Sequence, residues 1–130
     1  MTTIHVPTRS HAQFVNITHQ IADCIPESFN GVCTMLCLHT TAGLTINENA
    51  DPDVVHDLEA ELERLVPWSN GHFRHAEGNS AAHVKSSLMG PSLQVPVANG
   101  RLVLGTWQSI YFCEFDGPRQ RRVAVQLTSA

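Results

Sequence analysis

The stretch GVCTMLCLHTT, Gly31 to Thr41, alternates Val32, Leu36 and Leu38 with Cys33, Met35 and Cys37. In an extended chain successive side chains point to opposite faces, so this pattern predicts a strand that is apolar, and covered, on both sides. His39 continues the Cys/Met face. There the strand gives way to TTAGLTINENADP (Thr40–Pro52), a segment rich in hydroxyls and amides that leads into a helix. The helix signals in ADPDVVHDLEAELERLVP (Ala50–Pro67) are strong: Asp51 as N-cap, Pro52 at the first helical position, Asp53 against the positive dipole end and Pro67 after the stop. Val54, Val55, Leu58, Leu62, Leu65 and Val66 form its apolar stripe, with Asp57, Glu59, Glu61 and Glu63 mostly away from it.

Upstream, TIHVPT (Thr3–Thr8) and QFVNI (Gln13–Ile17) read as strands, and THQIADCIPES (Thr18–Ser28) as a short helix with Ile21, Ala22 and Ile25 on one face. Downstream, a second helix is expected from Ser80 to Leu88, with Asn79 as N-cap and Gly90-Pro91 as the stop. SLQVPVANGRLVLGTWQSIYFCEF (Ser92–Phe115) turns at Asn99-Gly100, the dipeptide that best accepts two positive φ values, which sets Val97 opposite Leu102 and Val95 opposite Leu104. Beyond the turn, Gln108, Ile110, Phe112 and Glu114 share one face and Trp107, Ser109, Tyr111 and Cys113 the other, both largely apolar. RRVAVQLTS (Arg121–Ser129) is the last strand, alternating Val123, Val125 and Leu127 with Arg122, Ala124 and Gln126. With no repeat, low-complexity tract or long linker, the reading is one α+β domain over residues 1–130, strand-rich with two or three helices.

Composition narrows the function classes. A chain of 130 residues with 42% hydrophobic side chains builds a core without staples. A formal charge of -4 and a pI near 6.0 argue against a nucleic-acid partner held by phosphate contacts. The start, MTTIHVPTRSH, lacks the order of a signal peptide, and no apolar run approaches a membrane span, so a cytoplasmic protein without a membrane partner is expected. Cys24, Cys33, Cys37 and Cys113 form no CxxC and read as small buried hydrophobes.

Chemistry concentrates in RHAEGNSAAHVKSSLMG (Arg74–Gly90), which holds His75, Glu77, His83 and Lys85, the only lysine. A loop imidazole and a helical imidazole can converge on a transition metal, and the alternative is a pair of hydrogen-bonded polar histidines. Asn79 begins a helix whose free amides, with Lys85 one turn on, suit a phosphate; otherwise solvent and the Asn79 side chain satisfy those donors. His39, at a strand end, and Glu48 are candidate site residues against the alternative of satisfying loop backbone. Glu114 among apolar neighbours needs a cation, a metal or a proton, and the plain account is an exposed strand end or a salt bridge to Arg119, Arg121 or Arg122.

In combination, HTTAGLTINENADP, RHAEGNSAAHVKSSLMG, VANGRLVLGTWQSIYFCEFDGPR and the closing basic strand resemble the YjbQ-like family over nearly the whole chain. The resemblance implies an antiparallel jelly-roll-like β-sandwich, a homotrimer, and, for some members, a secondary thiamine-phosphate synthase activity that joins a pyrimidine diphosphate to a thiazole phosphate. It also implies that His39, His75 and His83 share a divalent metal, zinc or magnesium. Where some relatives carry adjacent aspartates after the Glu-Gly turn, this chain has Asn79-Ser80-Ala81-Ala82, so a carboxylate magnesium site is not carried over. The resulting expectation is a small-molecule enzyme acting on a phosphorylated metabolite, with Glu48 or Glu114 as proton carrier and Asn79, Lys85, Trp107, Gln108 and Arg119 binding substrate. The alternatives are a non-catalytic trimeric metabolite- or metal-binding protein and a metal-dependent hydrolase.

Overall fold

In the computed structural model, which describes residues 1–130, Met35 lies in β3 (Gly31–Cys37), in the middle of a five-stranded antiparallel sheet. Its neighbours are β8 (Gln120–Ser129) on one side and β5 (Ser92–Ala98) on the other, with β1 (Thr2–Pro7) and β6 (Arg101–Leu102) at the edges. A three-stranded antiparallel sheet contains β2 (Gln13–Asn16), β7 (Gln108–Glu114) and β4 (Ala42–Glu48), with β7 central. Three helices complete the α+β fold: α1 (Thr18–Ala22), α2 (Pro52–Leu65) and α3 (Ser80–Met89).

The two sheets bury a common core. Ile4, Val6, Cys33, Met35, Val95, Val97, Val123 and Val125 from the larger sheet pack with Leu44, Ile110 and Phe112 from the smaller one, and Ile17 and Ile21 join the same cluster. A second cluster joins Leu62 of α2 and Ala82 of α3 to Tyr111, Cys113 and Phe115, so β7 is apolar on both faces because a sheet covers one and helices the other. The expectation of two-sided cover for β3 is corrected: Cys33, Met35 and Cys37 are buried, but Leu36 and Leu38 are 43% and 39% exposed. No element of this chain packs on the outer face of the larger sheet at Leu36.

Local signals explain most boundaries. The Asp51 carboxylate accepts from the Asp53 amide at 2.9 Å and starts α2 behind Pro52. Along its stripe Leu62 is buried, Val54, Val55, Leu58 and Val66 are half-buried, and Leu65 is 58% exposed, so the core face of α2 is narrower than the pattern suggests. The first helix stops at Ala22, well short of Ser28, and the chain turns from there toward Pro26. Asn99 at φ 50° and Gly100 at φ 77° make the hairpin turn, with Val97 opposite Leu102 as expected. Pairing does not reach Val95 and Leu104. The Val103 amide still donates to the Pro96 carbonyl at 2.8 Å, but Pro96 has no N–H to return the bond, and the ladder ends.

Candidate functional site

At one end of the two packed sheets a cleft of ≈ 490 Å³ is lined by His39, His75, His83, Arg119 and Arg121, together with Thr40, Thr41, Glu77 and Asn79; Leu38 is its one apolar wall. Four segments build it. The β3–β4 turn brings His39 to Thr41, the α2–α3 connection brings His75 and Glu77, the start of α3 brings Asn79 and His83, and the β7–β8 connection with the start of β8 brings Arg119 and Arg121. The Ser86 hydroxyl donates to the Thr40 carbonyl at 2.7 Å, which pins α3 to the turn. Gly43 allows the close approach behind it, since a Cβ there would lie 2.8 Å from the Gly90 carbonyl oxygen and 3.0 Å from the Met89 Cβ.

Beneath the cleft lies a charged pair. Glu114 is completely buried and accepts four hydrogen bonds: from Arg121 Nε at 2.8 Å, from Arg121 Nη2, from the Thr8 hydroxyl at 2.7 Å and from the Asp116 amide at 3.0 Å. Burial by itself would raise its pKa, but the Arg121, Asp116 and Thr8 hydrogen bonds outweigh that and hold the carboxyl below its ordinary range. Glu114 is thus a fixed anion with its acceptor sites filled, and the expected role of proton carrier is corrected in favour of the salt bridge. Arg121 also donates from Nη2 to the Thr41 hydroxyl at 2.8 Å, which fixes the β3–β4 turn to the floor.

The three histidines share the cleft but differ in chemistry. His39 Nε2 accepts from the Arg122 amide at 2.8 Å, so the neutral ring carries its proton on Nδ1 and acts as a donor. Burial first, then the charges of Arg121 and Arg122, lower the His39 pKa from 6.5, against an opposing contribution from Glu114. His75 and His83 stack edge to face with ring centroids 5.5 Å apart, and Glu77 Oε1 lies 3.9 Å from His75 Nε2. No group of three or more His, Cys, Asp or Glu side chains is arranged to hold a metal ion. Because the His39 lone pair is committed to a backbone amide and arginines stand beside it, the expected three-histidine metal centre does not fit this arrangement.

Asn79 and Arg119 both line the cleft. Asn79 is buried in the cleft wall, yet it does not cap α3: its Nδ2 donates to Asp116 at 2.9 Å, and its Oδ1 is the single sealed polar side-chain atom without a partner. Arg119 stands half-exposed at the rim, donating from Nη2 to Asp116 at 3.1 Å. Lys85 is elsewhere. Two positions after His83 it is rotated about 200° around the helix, is 4% exposed, and donates to Glu63 at 2.5 Å beside a separate cavity of ≈ 130 Å³. Glu48, Trp107 and Gln108 are also outside the cleft: Glu48 pairs with Gln108 at the far end of β4, six residues or about 20 Å from Ala42. There the Glu48 carbonyl accepts from the Tyr111 hydroxyl, the Gln108 side chain closes a turn onto the Gly105 amide, and Trp107 is 63% exposed.

Sequence reasoning underweighted Arg121, left Thr41 as a residue satisfying loop backbone, and passed over Asp116, which holds the cleft residues Asn79 and Arg119. A signal for Arg121 was present, since period two puts it in phase with Val123 and Val125, on the core face of its strand.

The family model described as UPF0047 protein YjbQ-like matches residues 2–130. The UPF0047 protein YugU of Bacillus subtilis is 47% identical over 127 residues, 96% of each chain, and a UPF0047 protein of Methanocaldococcus jannaschii is 48% identical over 124 residues, 94% of this chain and 89% of that one. Among solved structures, a conserved YjbQ/UPF0047 protein from Clostridium acetobutylicum superposes with a TM-score of 0.94 at 48% identity, covering 98% of this chain and 100% of its own. A conserved hypothetical protein from Thermus thermophilus gives the same TM-score at 43% identity, with the same coverage. The chain belongs to the YjbQ-like UPF0047 family.

Proposed function

We propose that the cleft binds a small phosphorylated metabolite and that the chain is a group-transfer enzyme resembling the secondary thiamine-phosphate synthases. The observation that carries the reading is the convergence of Arg119, Arg121 and His39, whose neutral ring holds its proton on Nδ1, on one polar cavity that also holds the His75–His83 pair. The first three are donors suited to an oxyanion, whose charge on leaving must be stabilised. The imidazoles of His75 and His83 are the proton carriers of this reading, in place of Glu48 and Glu114. At ≈ 490 Å³ the cleft is within the usual range for a small-molecule site.

One observation favours the second reading, a binding protein without turnover: no aromatic ring besides the imidazoles lines the cleft to stack on a pyrimidine. A homotrimer of jelly-roll-like sandwiches, the assembly that the resemblance implies, is part of the proposal and is supported by the uncovered Leu36 and Leu38. Light scattering should then give three times the 14.3 kDa chain mass, and a stable monomer rejects the trimer. No helix is long and apolar enough to cross a membrane.

Calorimetry with thiamine phosphate and pyrophosphate, paired with a thiamine-phosphate synthase assay, tests the function. Binding with turnover that His83→Ala abolishes supports the enzyme. Binding with no turnover supports the binder, and no binding rejects both.

A further inference from the structure

Arg121 is 4% exposed, and its partners occupy only part of its guanidinium. Nε and Nη2 face Glu114, and Nη2 is shared with Thr41, but Nη1 donates to no protein acceptor. Nη1 is not sealed either, since Asn79 Oδ1 is the one inaccessible side-chain polar atom without a partner. Arg121 lines the ≈ 490 Å³ cleft, and Nη1 is therefore a pair of unmet donors at the floor of that cavity. A nearly buried donor left without an acceptor is costly, and the plane of this one is fixed by the Glu114 carboxylate, so it meets a ligand without reorganising.

We infer that Arg121 Nη1 receives a phosphoryl oxygen of the ligand at the floor of the cleft. The inference rests on the phosphorylated-metabolite reading and names the recognition residue within it. Glu114 already neutralises Arg121, so the floor contributes direction: an oxygen must approach in the guanidinium plane, on the edge turned away from Glu114. Arg119 at the rim, half-exposed and tied to Asp116, supplies the less constrained charge. Lysine does not reproduce this arrangement, because an ammonium turned toward Glu114 and Thr41 has no second planar edge to offer the cleft.

The probe is inorganic pyrophosphate, followed by calorimetry and by NMR of the histidine rings and of ¹⁵N-labelled arginine side chains in the full chain. Wild type should bind it with shifts at His39, His75 and His83 and at the Arg121 Nη signals. Arg121→Lys should lose at least about tenfold in affinity, the effect of one hydrogen bond to a charged group, and Lys85→Met should bind as wild type does. Should Arg121→Lys fail to fold, the Arg121 Nη signals of the wild type decide the matter. Wild-type binding at the cleft with unmoved Arg121 Nη signals, or with undiminished affinity in a folded Arg121→Lys, overturns the inference and leaves the phosphorylated-metabolite reading standing. Wild type that binds no pyrophosphate overturns both.

Discussion

Replacing Glu114 by glutamine keeps its size and removes its charge. The buried carboxylate accepts from Arg121 Nε at 2.8 Å, Arg121 Nη2, Thr8 Oγ1 at 2.7 Å and the Asp116 amide at 3.0 Å. A glutamine oxygen placed at Oε1 retains the Thr8 and Nε bonds, but its NH₂ then confronts Nη2 and the Asp116 amide, donor against donor. Arg121, 4% exposed, is left without a counter-ion that solvent can replace. Removing one partner of a buried pair costs about 3–5 kcal/mol, equivalent in a chain of this length to a fall in Tm of roughly 12–20 °C. Urea denaturation at pH 7, at matched protein concentration, measures the loss. The double variant Glu114→Leu with Arg121→Met should recover most of it, because neither charge is then stranded. The pH dependence has a definite sign. The folded pKa of Glu114 is depressed, so its stabilisation is fully present above the ordinary value of 4.5 and is lost as pH falls through the depressed one. The gap between wild type and Glu114→Gln should therefore narrow in acid. A loss below about 1 kcal/mol at pH 7, the level of an exposed ion pair, or a gap that is independent of pH, refutes the reasoning.

In NMR titrations the His39 ring should titrate below 6.5 and the exposed His56, bonded to Asp57, above it; His39 titrating above 6.5 would show that its surroundings are misjudged. Because the folded pKa of His39 is lowered, its contribution to stability is present above 6.5 and lost as pH falls through the folded value. One equivalent of zinc should leave the His39 signals in place, whereas joint shifts of His39, His75 and His83 would restore the metal centre. Leu62→Ala should cost about 2–5 kcal/mol and Leu65→Ala under about 1 kcal/mol in chemical denaturation, since Leu62 is 9% and Leu65 58% exposed; equal losses would mean that Leu65 is covered in solution. Gly43→Ala should destabilise by about 1–3 kcal/mol, because its methyl meets the Gly90 carbonyl, and an unchanged unfolding midpoint would show that α3 yields freely.

Features governed by a few neighbouring residues were legible in the sequence. The Asp51–Pro52 helix start, the Asn99–Gly100 turn with Val97 opposite Leu102, and the stop of α3 at Gly90 depend on backbone sterics and capping within one turn of chain. Periodicity likewise marked β3 and β7 as apolar on both faces. Which of them receives full cover was a tertiary matter, because cover depends on what crosses the sheet: helices lie over β7, and the outer face of β3 at Leu36 has no such layer. The charged residues show the same division. Burial of Glu114 required a partner, but the choice of Arg121 over Arg119 or Arg122 follows from the packing of β7 against β8, two strands in different sheets. Lys85 and His83 look equivalent in sequence, yet helical rotation sends one toward α2 and the other into the cleft. His39 was a plausible ligand until strand packing brought the Arg122 amide, 83 residues away, to its lone pair. Spacing along the chain assigns a side chain to a face; what it meets there is determined by sheet order and register.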